Sequence, residues 1–384
     1  MSKFFRFLLL VTAGLHVPFA FAFFGIVSSR VAAPVAYAAT ALAVLVGIGL
    51  APGRIRGGLY DAHRSRWITE GVDAPYYVHW CACVFLLVPF VLVSIGSPIL
   101  DLVRGEPLAV PLRAYAALYV AGLGVGFYGV MVRRRLYHVA RLDVFLENLP
   151  QAFDGYRIAH LSDLHIGAMT PKARAQRWVA AANREAPDLA VVTGDMVTNG
   201  VDFHQDIADA LGGLRAKDGA VVSMGNHDYF GEGEPLMSLL GERGVRVMRN
   251  VGETMRRGDA HIYLAAIDDV WTRRADMEKA LAERPSGATT VLLAHDPRTF
   301  PEAAARDVDL VLSGHTHAGQ VAMPFFGRRV SFSHLAHAFH VGFYRHGRST
   351  LYVHPGLGTT GPPVRLGTVP TVAILTLRRG QPKE

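Results

Sequence analysis

The chain contains few cysteines: Cys81 and Cys83 are the only two among its 384 residues. Two cysteines are too few for a disulfide framework. One residue separates them, which is a poor spacing for a metal site. Residues at positions i and i+2 also do not share a helix face. We therefore expect both to be small buried thiols. The sequence also shows no internal repeat and no long low-complexity tract.

Charged residues are absent from four long apolar stretches in the first third of the chain. These stretches are 7–27, 31–50, 76–100 and 114–132. Each approaches or exceeds the ~20 residues that a helix needs to cross a bilayer. The sequence therefore predicts an N-terminal four-helix transmembrane domain over residues 1–135. The alternative for the first stretch is a cleaved signal peptide ending near Ala36-Tyr37-Ala38, but its apolar region would usually span only about 7–15 residues.

Net charge is absent from the rest of the chain, because residues 136–384 carry 27 basic and 27 acidic side chains. A neutral domain lacks the basic footprint of a nucleic-acid-binding protein, so no nucleic-acid partner is expected. The excess of positive charge flanks the apolar stretches instead. By the positive-inside rule, this pattern predicts a multi-pass protein of the inner (cytoplasmic) membrane, with its N-terminus and its C-terminal half in the cytoplasm. The residues that carry it are Lys3, Arg6, Arg54, Arg56, Arg64, Arg66, Arg133, Arg134, Arg135 and Arg141.

Strand and helix patterns alternate after the apolar region. Residues 136–156 are expected to form a linker with a first strand over 139–145, and residues 157–384 an α/β domain. A helical pattern covers 172–185. Alternation of this kind argues for a layered α/β domain. The short apolar segments that predict its further strands are 157–161, 189–193, 220–224, 291–294 and 308–312.

Each of these five segments runs into a short motif of metal-binding residue types. Asp, Asn and His are the ligands that a hard or borderline divalent metal prefers. Two such metals, about 3.5–4 Å apart, form a clamp for displacement at phosphorus. Residues at the C-terminal ends of strands also lie where sites occur in such sheets. The motifs are Asp163-Leu164-His165, Gly194-Asp195, Gly225-Asn226-His227-Asp228, Ala294-His295 and Gly314-His315-Thr316-His317.

Together these motifs resemble the calcineurin-like metallophosphoesterase superfamily, over about residues 157 to 377. Within it the chain is similar to the bacterial membrane-anchored branch and to enzymes of the UDP-2,3-diacylglucosamine hydrolase type. The resemblance implies two packed sheets flanked by helices. The further segments that carry it are Leu161-Ser162-Asp163-Leu164-His165, Gly356-Leu357-Gly358-Thr359 and Pro363-Val364-Arg365.

The resemblance also implies two divalent metal ions, with manganese favoured and iron or zinc as alternatives. Asp195 would bridge the two metals. The first metal would take Asp163, His165, Asp195 and His317. The second would take Asp195, Asn226, His295 and His315.

Two residues would act beside the metals. His227 would stabilise charge on the transferring group or protonate the leaving oxygen, and Asp228 would orient His227. A metal-bridging hydroxide would attack phosphorus. The chain departs from the family at Ala318, where glycine is more common. That change matters only if the backbone there needs a positive φ. It also departs at His354, where Asn or Ser is common, and at Thr371, where Glu is often found.

The predicted function is hydrolysis of a phosphoester or pyrophosphate, and four membrane passes exceed what tethering requires. This favours a lipid or lipid-linked phosphate substrate reached from the bilayer, such as UDP-2,3-diacylglucosamine of lipid A biosynthesis. One alternative is a tethered phosphodiesterase or phosphatase with a soluble substrate. Another is a membrane sensor or transporter with a regulatory metal site. His16 and His79 are the only imidazoles in the apolar stretches, and an interfacial position explains His79.

The segment 323–348 is rich in phenylalanine and histidine. It is interpreted either as an amphipathic flap that meets the membrane or an acyl chain, or as an ordinary long loop with its own small core. Arg328, Arg329 and Arg365 are candidates to contact a phosphate, although surface arginines are usually only solvated.

Overall fold

The computed structural model describes residues 3–54, 64–107, 110–325, 328–331 and 333–381. Their Cα positions divide into two compact units. The first consists of Met1–Arg133 with Pro362–Val364, and the second of Arg134–Gly361 with Arg365–Glu384.

The first unit is helical, and its described residues contain four helices long and apolar enough to cross a membrane. These are helix α1 (Lys3–Val27), helix α2 (Ala33–Gly53), a continuous helical segment Arg66–Arg104 and a segment Leu112–Arg135. The third segment comprises α3 (Arg66–Ile68), a π-helical turn (Thr69–Asp73) and α4 (Ala74–Arg104). The fourth begins with α5 (Leu112–Phe127), followed by a π-helical turn (Tyr128–Val132) and a 3-10 turn (Arg133–Arg135). The four apolar stretches are therefore helices, as predicted.

The polar sequence of residues 54–74 predicts a loop between the second and third apolar stretches, with or without a helix lying on the surface, and the structure differs from that expectation. Residues 55–63 lie outside the described part of the chain, but residues from Arg66 onward extend α4 rather than forming a separate surface helix. The buried carboxylate of Asp73 explains this extension, because it pairs with both Arg54 and Arg64. The paired charges hold the chain in helical register before the apolar span begins. Cys81 and Cys83 are free and buried, as predicted.

The second unit is a sandwich of two six-stranded sheets. The order of the first sheet is β1-β14-β2-β3-β4-β5, and that of the second is β12-β13-β9-β8-β7-β6. In the first sheet, β2, β3, β4 and β5 are parallel neighbours. In the second, β7, β8, β9 and β13 are parallel neighbours. The strands of the first sheet are β1 (His138–Leu146), β2 (Arg157–Leu161), β3 (Leu189–Thr193), β4 (Ala220–Ser223), β5 (Val245–Val247) and β14 (Thr371–Arg379).

The second sheet has helices on its outer face. Its strands are β6 (Val251–Arg257), β7 (Ala260–Ala266), β8 (Thr290–Leu293), β9 (Leu310–Ser313), β12 (Gly342–His346) and β13 (Ser349–Val353). A small ribbon consists of β10 (Ala322–Phe325) and β11 (Arg328–Ser331). The helices of this unit are α6 (Lys172–Arg184), α7 (His204–Leu211), α8 (Gly233–Glu242), α9 (Met277–Leu281), α10 (Phe300–Ala305) and α11 (Ser333–Ala336).

Alternation along the strands builds two cores. Val291 and Leu293 of β8 pack between the two sheets with Ile158 of β2 and Val191 of β3. The intervening Leu292 lies in a second cluster, with side chains of α9 and α10. This is the period of two that a strand buried on both faces requires. The predicted two-sheet sandwich flanked by helices is confirmed, and the sandwich brings the C-terminal ends of β2, β3, β4, β8 and β9 to one region.

Candidate metal centre

Four of the candidate ligands converge where β2, β3 and β9 end. Nε2 of His165 lies 3.0 Å from Nε2 of His317 and 3.5 Å from Oδ2 of Asp195. Nε2 of His317 lies 3.3 Å from Oδ1 of Asp163. All four ligand atoms lie within 4.8 Å of one another, and all four residues are buried. This is the set that the resemblance implies for the first metal.

A second group shares Asp195 with the first. Nε2 of His295 lies 3.2 Å from Oδ2 of Asp195, and Nδ1 of His315 lies 3.2 Å from the same nitrogen of His295. Oδ2 of Asp195 therefore faces both a histidine of the first group and a histidine of the second. A carboxylate in that position can serve two cations.

Asn226 adds a neutral oxygen next to Asp195. The backbone N–H of the following residue, His227, donates to Oδ1 of Asp195 at 2.9 Å. Oδ1 of Asn226 is buried and has no hydrogen-bond partner among the described residues. A buried carbonyl oxygen left without a donor costs about 1–3 kcal/mol. A cation would satisfy it, so this atom and the mixed oxygen and nitrogen donors fit a metal centre.

The ligand loops are held in an unusual backbone conformation. Five ligand candidates have a positive φ, a conformation that costs roughly 1–2 kcal/mol for a residue with a side chain. Such strained residues cluster at functional sites. The five are Asp163 (54°), His165 (46°), Asp195 (52°), His315 (72°) and His317 (53°). The strain turns each side chain toward the centre directly after a strand.

Close approach of the loops explains the glycine that precedes His315. A Cβ on Gly314 would lie 1.9 Å from Oγ of Ser162 and 2.3 Å from Oδ2 of Asp163. The backbone N–H of His315 donates to Oδ1 of Asp163 at 2.9 Å. Glycine is therefore required for the end of β9 to reach the end of β2.

Burial and neighbouring charges set the ionisation of the metal-free centre. Burial lowers the pKa of His165 and of His317 well below the usual value, so both imidazoles are neutral at pH 7. Burial opposes ionisation of Asp195, but the nearby His295 and His227 hold the pKa of its carboxyl well below the usual range. Burial opposes protonation of His295, but the Asp195 carboxylate raises the pKa of that imidazole to about 10, so His295 must release its proton when it binds a metal.

The contacts of Asp228 correct the expectation that it orients His227. The Asp228 carboxylate is buried and accepts four backbone hydrogen bonds, from the N–H groups of Gly225 and of residues 195, 196 and 197, at 2.8–3.2 Å. Nδ1 of His227 instead donates to the carbonyl oxygen of Thr198 at 2.6 Å. Asp228 thus positions the loop that carries Asp195, because its oxygens accept from three successive N–H groups of that loop.

The other nitrogen of the His227 ring points toward a hydroxyl group. Nε2 lies 3.5 Å from Oγ1 of Thr360. Thr360 is held by Gln320, whose side chain donates to its carbonyl oxygen at 2.7 Å and accepts from its N–H at 2.9 Å. The glutamine that follows the last histidine motif therefore anchors the segment after the Gly-Leu-Gly turn beside His227.

Arg365 is not a surface arginine, which corrects its interpretation as a phosphate contact. Its side chain is fully buried and donates to the carbonyl oxygens of Gly358 and Pro355 at 2.7 Å and 2.8 Å. A longer contact of 3.4 Å reaches the carbonyl oxygen of His317. Arg365 therefore braces the Gly-Leu-Gly turn against a ligand loop. The side chains of residues 328 and 329 lie outside the described part of the structure.

Two of the three departures from the family pattern, Ala318 and His354, have different structural consequences. Ala318 has a φ of 51°, so the position where the family has glycine does need the left-handed conformation. His354 is buried, and its Nδ1 accepts from the N–H of Gly356 at 2.9 Å. His354 thus supports the turn that Arg365 also braces.

Aromatic side chains that the sequence did not single out lie beside the ligands. The ring of Trp271 is 56% exposed, and its centroid is 5.7 Å from that of His315. Its Nε1 donates to Oδ2 of Asp296 at 3.0 Å. Phe230 is 48% exposed, with its ring 4.5 Å from that of His227. No local pattern marks these residues, because only the folded loops bring them to the centre.

The phenylalanine- and histidine-rich segment is described only in part. Phe326 and Phe332 lie outside the described residues. Phe339 packs against Phe300 of α10, with ring centroids 5.5 Å apart, which fits a loop with its own small core. Phe343 is 42% exposed, which fits the alternative of an apolar flap. His337 lies beside the metal centre, with its ring 5.6 Å from that of His315.

Comparison with known proteins agrees with this geometry. The family model for calcineurin-like phosphoesterases matches residues 156–319. The metallophosphoesterase YkuE of Bacillus subtilis is 30% identical over 267 residues, which are 68% of this chain and 93% of that protein. A metallophosphoesterase of Helicobacter pylori is 30% identical over 67% of this chain and 69% of its own length.

A vertebrate relative is named for both parts of the molecule. The transmembrane protein with metallophosphoesterase domain of Danio rerio is 32% identical over 266 residues, or 66% of this chain. The chain spans 60% of the length of that relative. The coverage of YkuE and the family match confirm the resemblance that the motifs carry. The chain therefore belongs to the calcineurin-like phosphoesterases, a family of metal-dependent phosphoester hydrolases.

Proposed function

We propose that this protein is a membrane-bound phosphohydrolase that uses two metal ions to cleave a phosphoester or pyrophosphate bond of a lipid substrate. The observation that carries the proposal is the pair of ligand groups that share Asp195. UDP-2,3-diacylglucosamine is the leading candidate substrate, because it combines a pyrophosphate with acyl chains.

The ligand set supports a dinuclear centre. Asp163, His165 and His317 would complete one metal site and Asn226, His295 and His315 the other, with Asp195 between them. Mixed oxygen and nitrogen donors suit manganese, and they also suit iron or zinc. When bound, such ions lower the pKa of a coordinated water and neutralise charge on the phosphoryl oxygens.

His227 would handle the proton of the leaving group. Its Nδ1–H is committed to the carbonyl oxygen of Thr198, so Nε2 is the nitrogen free to hold a proton. That nitrogen faces Thr360 at 3.5 Å, outside ordinary hydrogen-bond distance, which leaves room for an incoming oxygen. A positioned histidine of this kind contributes about 10²–10⁴-fold to a rate.

The surroundings of the centre support a substrate with apolar parts. Trp271 and Phe230 expose aromatic rings beside the ligand His315 and beside His227. Exposed aromatic rings bind planar bases and apolar groups. The four apolar helices add a membrane-spanning unit larger than a tether needs.

The charge distribution supports a catalytic unit on the cytoplasmic side of the inner membrane. Basic residues lie in the second loop and follow the fourth apolar helix, whereas the only basic residues of the other two loops are Arg30, Arg104 and Arg113. Positive loops remain in the cytoplasm. UDP-linked lipid is a substrate of that leaflet, so the orientation and the candidate substrate agree.

The test is hydrolysis of UDP-2,3-diacylglucosamine by the detergent-purified full chain with added manganese. Wild type is expected to release UMP and a lipid monophosphate, and Asp195→Ala is expected to release neither. A soluble aryl phosphodiester and a metal chelator complete the comparison.

The possible results of this assay distinguish an error in the candidate substrate from an error in the proposed metal-dependent hydrolysis. Cleavage of the aryl diester without release of UMP would reject UDP-2,3-diacylglucosamine while keeping the phosphohydrolase. Full activity on soluble diesters and none on any lipid would favour the tethered alternative. Equal activity with and without chelator would reject the metal centre.

A further inference from the structure

A second cluster of metal-binding side chains lies in the helical unit and shares no residue with the catalytic ligands. His16 of α1 and His79 of α4 face each other, with their Nε2 atoms 3.1 Å apart. Sγ of Cys83, one helical turn after His79, lies 3.7 Å from the same Nε2 of His79. The three ligand atoms lie within 4.8 Å of one another. An interfacial position for His79 therefore does not describe its contacts.

The outer nitrogens of both rings already have partners. Nδ1 of His16 donates to the carbonyl oxygen of Thr12 at 2.7 Å, which leaves Nε2 as the nitrogen with a free lone pair. Nδ1 of His79 lies 2.8 Å from the hydroxyl oxygen of Tyr119 in α5. Metal-binding histidines almost always use their other nitrogen in this way, which fixes the ring and the tautomer.

Two of the three separations between ligand atoms are close to those of a metal site. Metal bonds of about 2.0–2.1 Å to nitrogen and about 2.3 Å to sulfur place tetrahedral ligands roughly 3.3 Å (N to N) and roughly 3.6 Å (N to S) apart. The observed separations are 3.1 Å between the two Nε2 atoms and 3.7 Å between Sγ of Cys83 and Nε2 of His79. Sγ also lies 3.8 Å from Nδ1 of His79, and its separation from Nε2 of His16 is within 4.8 Å, so the Cys83 side chain would turn toward the two Nε2 atoms on binding. Gly47 of α2 leaves room at this point, because a Cβ there would lie 2.2 Å from Nε2 of His16.

Charge selects the class of ion. Metal binding deprotonates the thiol, so the cluster supplies one negative charge. The apolar stretches that hold it contain no Asp, Glu, Lys or Arg. A divalent ion would leave a net positive charge in apolar surroundings, which is costly in a bilayer. A soft monovalent ion such as Cu(I) makes the site neutral, and thiolate and imidazole ligands both suit it.

We propose that His16, His79 and Cys83 bind one Cu(I) ion and so join α1 to α4 within the membrane-spanning unit. The site is distinct from the dinuclear centre in its ligands and in the ion that it takes. The competing interpretation is a hydrogen-bonded chain without metal, from Tyr119 through His79 and His16 to the Thr12 carbonyl oxygen. That chain needs no thiol, whereas the metal site requires Cys83.

The two cysteines make a specific test possible. The catalytic ligands include no cysteine, so a thiolate-to-metal charge-transfer absorption can arise only from Cys81 or Cys83. The full chain in detergent is titrated anaerobically with Cu(I), with ascorbate as a thiol-free reductant. Wild type is expected to develop the absorption and to saturate it at one equivalent.

Cys81→Ser is the matched control. Cys81 lies two residues from Cys83 on the same helix, is also buried and packs near Gly126 of α5. Cys81→Ser should keep the absorption, Cys83→Ser should lose it, and His79→Gln should weaken Cu(I) binding at least tenfold. No absorption in wild type, or an unchanged absorption in Cys83→Ser, would overturn the site.

Two further measurements keep the test decisive if a variant misfolds. In wild type, Cu(I) should slow methanethiosulfonate labelling of Cys83 but not of Cys81, read by mass spectrometry. Equal protection of both cysteines, or of neither, contradicts the proposal. A thiolate absorption that develops with Co(II) but not with Cu(I) would reject the monovalent ion and assign a divalent one.

Discussion

The two units use the same apolar residues in opposite ways. In the helical unit, Leu92 and Leu102 of α4 are 67% and 86% exposed, whereas Leu293 of β8 and Leu312 of β9 are completely buried. Both units bury some charged and polar groups, among them Asp73 in the helical unit and Asp195 in the sandwich. A core surrounded by water must bury its apolar side chains, and a helix bundle in lipid has no such need. The exposed fraction of an apolar side chain can therefore be interpreted only when the surrounding solvent, water or lipid, is known.

The largest expected effect comes from the shared carboxylate of the sandwich. Asp195→Ala removes the residue common to both ligand groups, so hydrolysis should fall by at least about 10³-fold, equivalent to ~4 kcal/mol of transition-state stabilisation. The measurement is kcat/KM with saturating manganese. Asp259→Ala, at an exposed aspartate in the turn between β6 and β7, is the control and should retain full activity. Activity above a tenth of wild type in Asp195→Ala would contradict a dinuclear centre.

The next effect concerns the exposed leucines of the helical unit. Leu92→Arg places a charge on an outward face of α4 and should cost about 2.5–3.5 kcal/mol for insertion near a helix centre. The fraction of protein integrated into membranes should fall accordingly. Val251→Arg, at an exposed position of β6 in the sandwich, should change stability by no more than about 0.5 kcal/mol. Equal integration of both variants would mean that α4 does not face lipid.

A smaller effect is expected from the buried carboxylate of Asp228. The single carbonyl oxygen of an amide cannot accept all four backbone hydrogen bonds that the carboxylate accepts. Asp228→Asn should therefore weaken manganese binding by about 10–100-fold while kcat at saturating metal changes little. Manganese titration of the activity measures both quantities. A lower kcat at unchanged metal affinity would instead support the original expectation that Asp228 acts through His227.

The smallest effect is a gain in stability. Ala318→Gly relieves the left-handed backbone at residue 318 and should stabilise the sandwich by about 1 kcal/mol, or about 2–4 °C in Tm. Ala180→Gly, on the exposed face of α6, is the matched control with the opposite sign, since glycine within a helix costs about 0.8–1.0 kcal/mol. Destabilisation of both variants would show that Ala318 contributes packing that outweighs its strain.

The sequence predicted best where local pattern and tertiary structure agree. The strand segment 157–161 and the helical segment from Lys172 coincide with β2 and α6, since apolar periodicity is a local property. The metal-binding residue types after each strand indicated one centre, because parallel strands end at a common edge. The family and the sandwich followed from the same motifs.

Prediction from the sequence was wrong or incomplete for side chains whose contact partners are distant in the chain. Asp228 stands next to His227 in the chain but bonds the loop after β3. Arg365 was interpreted as a surface residue, but in the folded chain it is buried beneath the turn at Gly358, to which it donates a hydrogen bond. His16 and His79 are far apart in the sequence, so their contact could not be read from spacing.

The pairing of β1 with β14 has a consequence for biogenesis. β1, the strand that follows the helical unit, aligns in parallel with β14 over His138–Leu146 and Thr371–Arg379. At roughly 5–20 residues per second, a ribosome needs about 10–50 s to deliver the second strand after the first. During that interval β1 is a strand without its partner in a nascent protein, and its unpaired backbone groups are open to chaperones and to aggregation. Truncation of the last strand should therefore lower the yield of folded protein more than its nine residues would suggest.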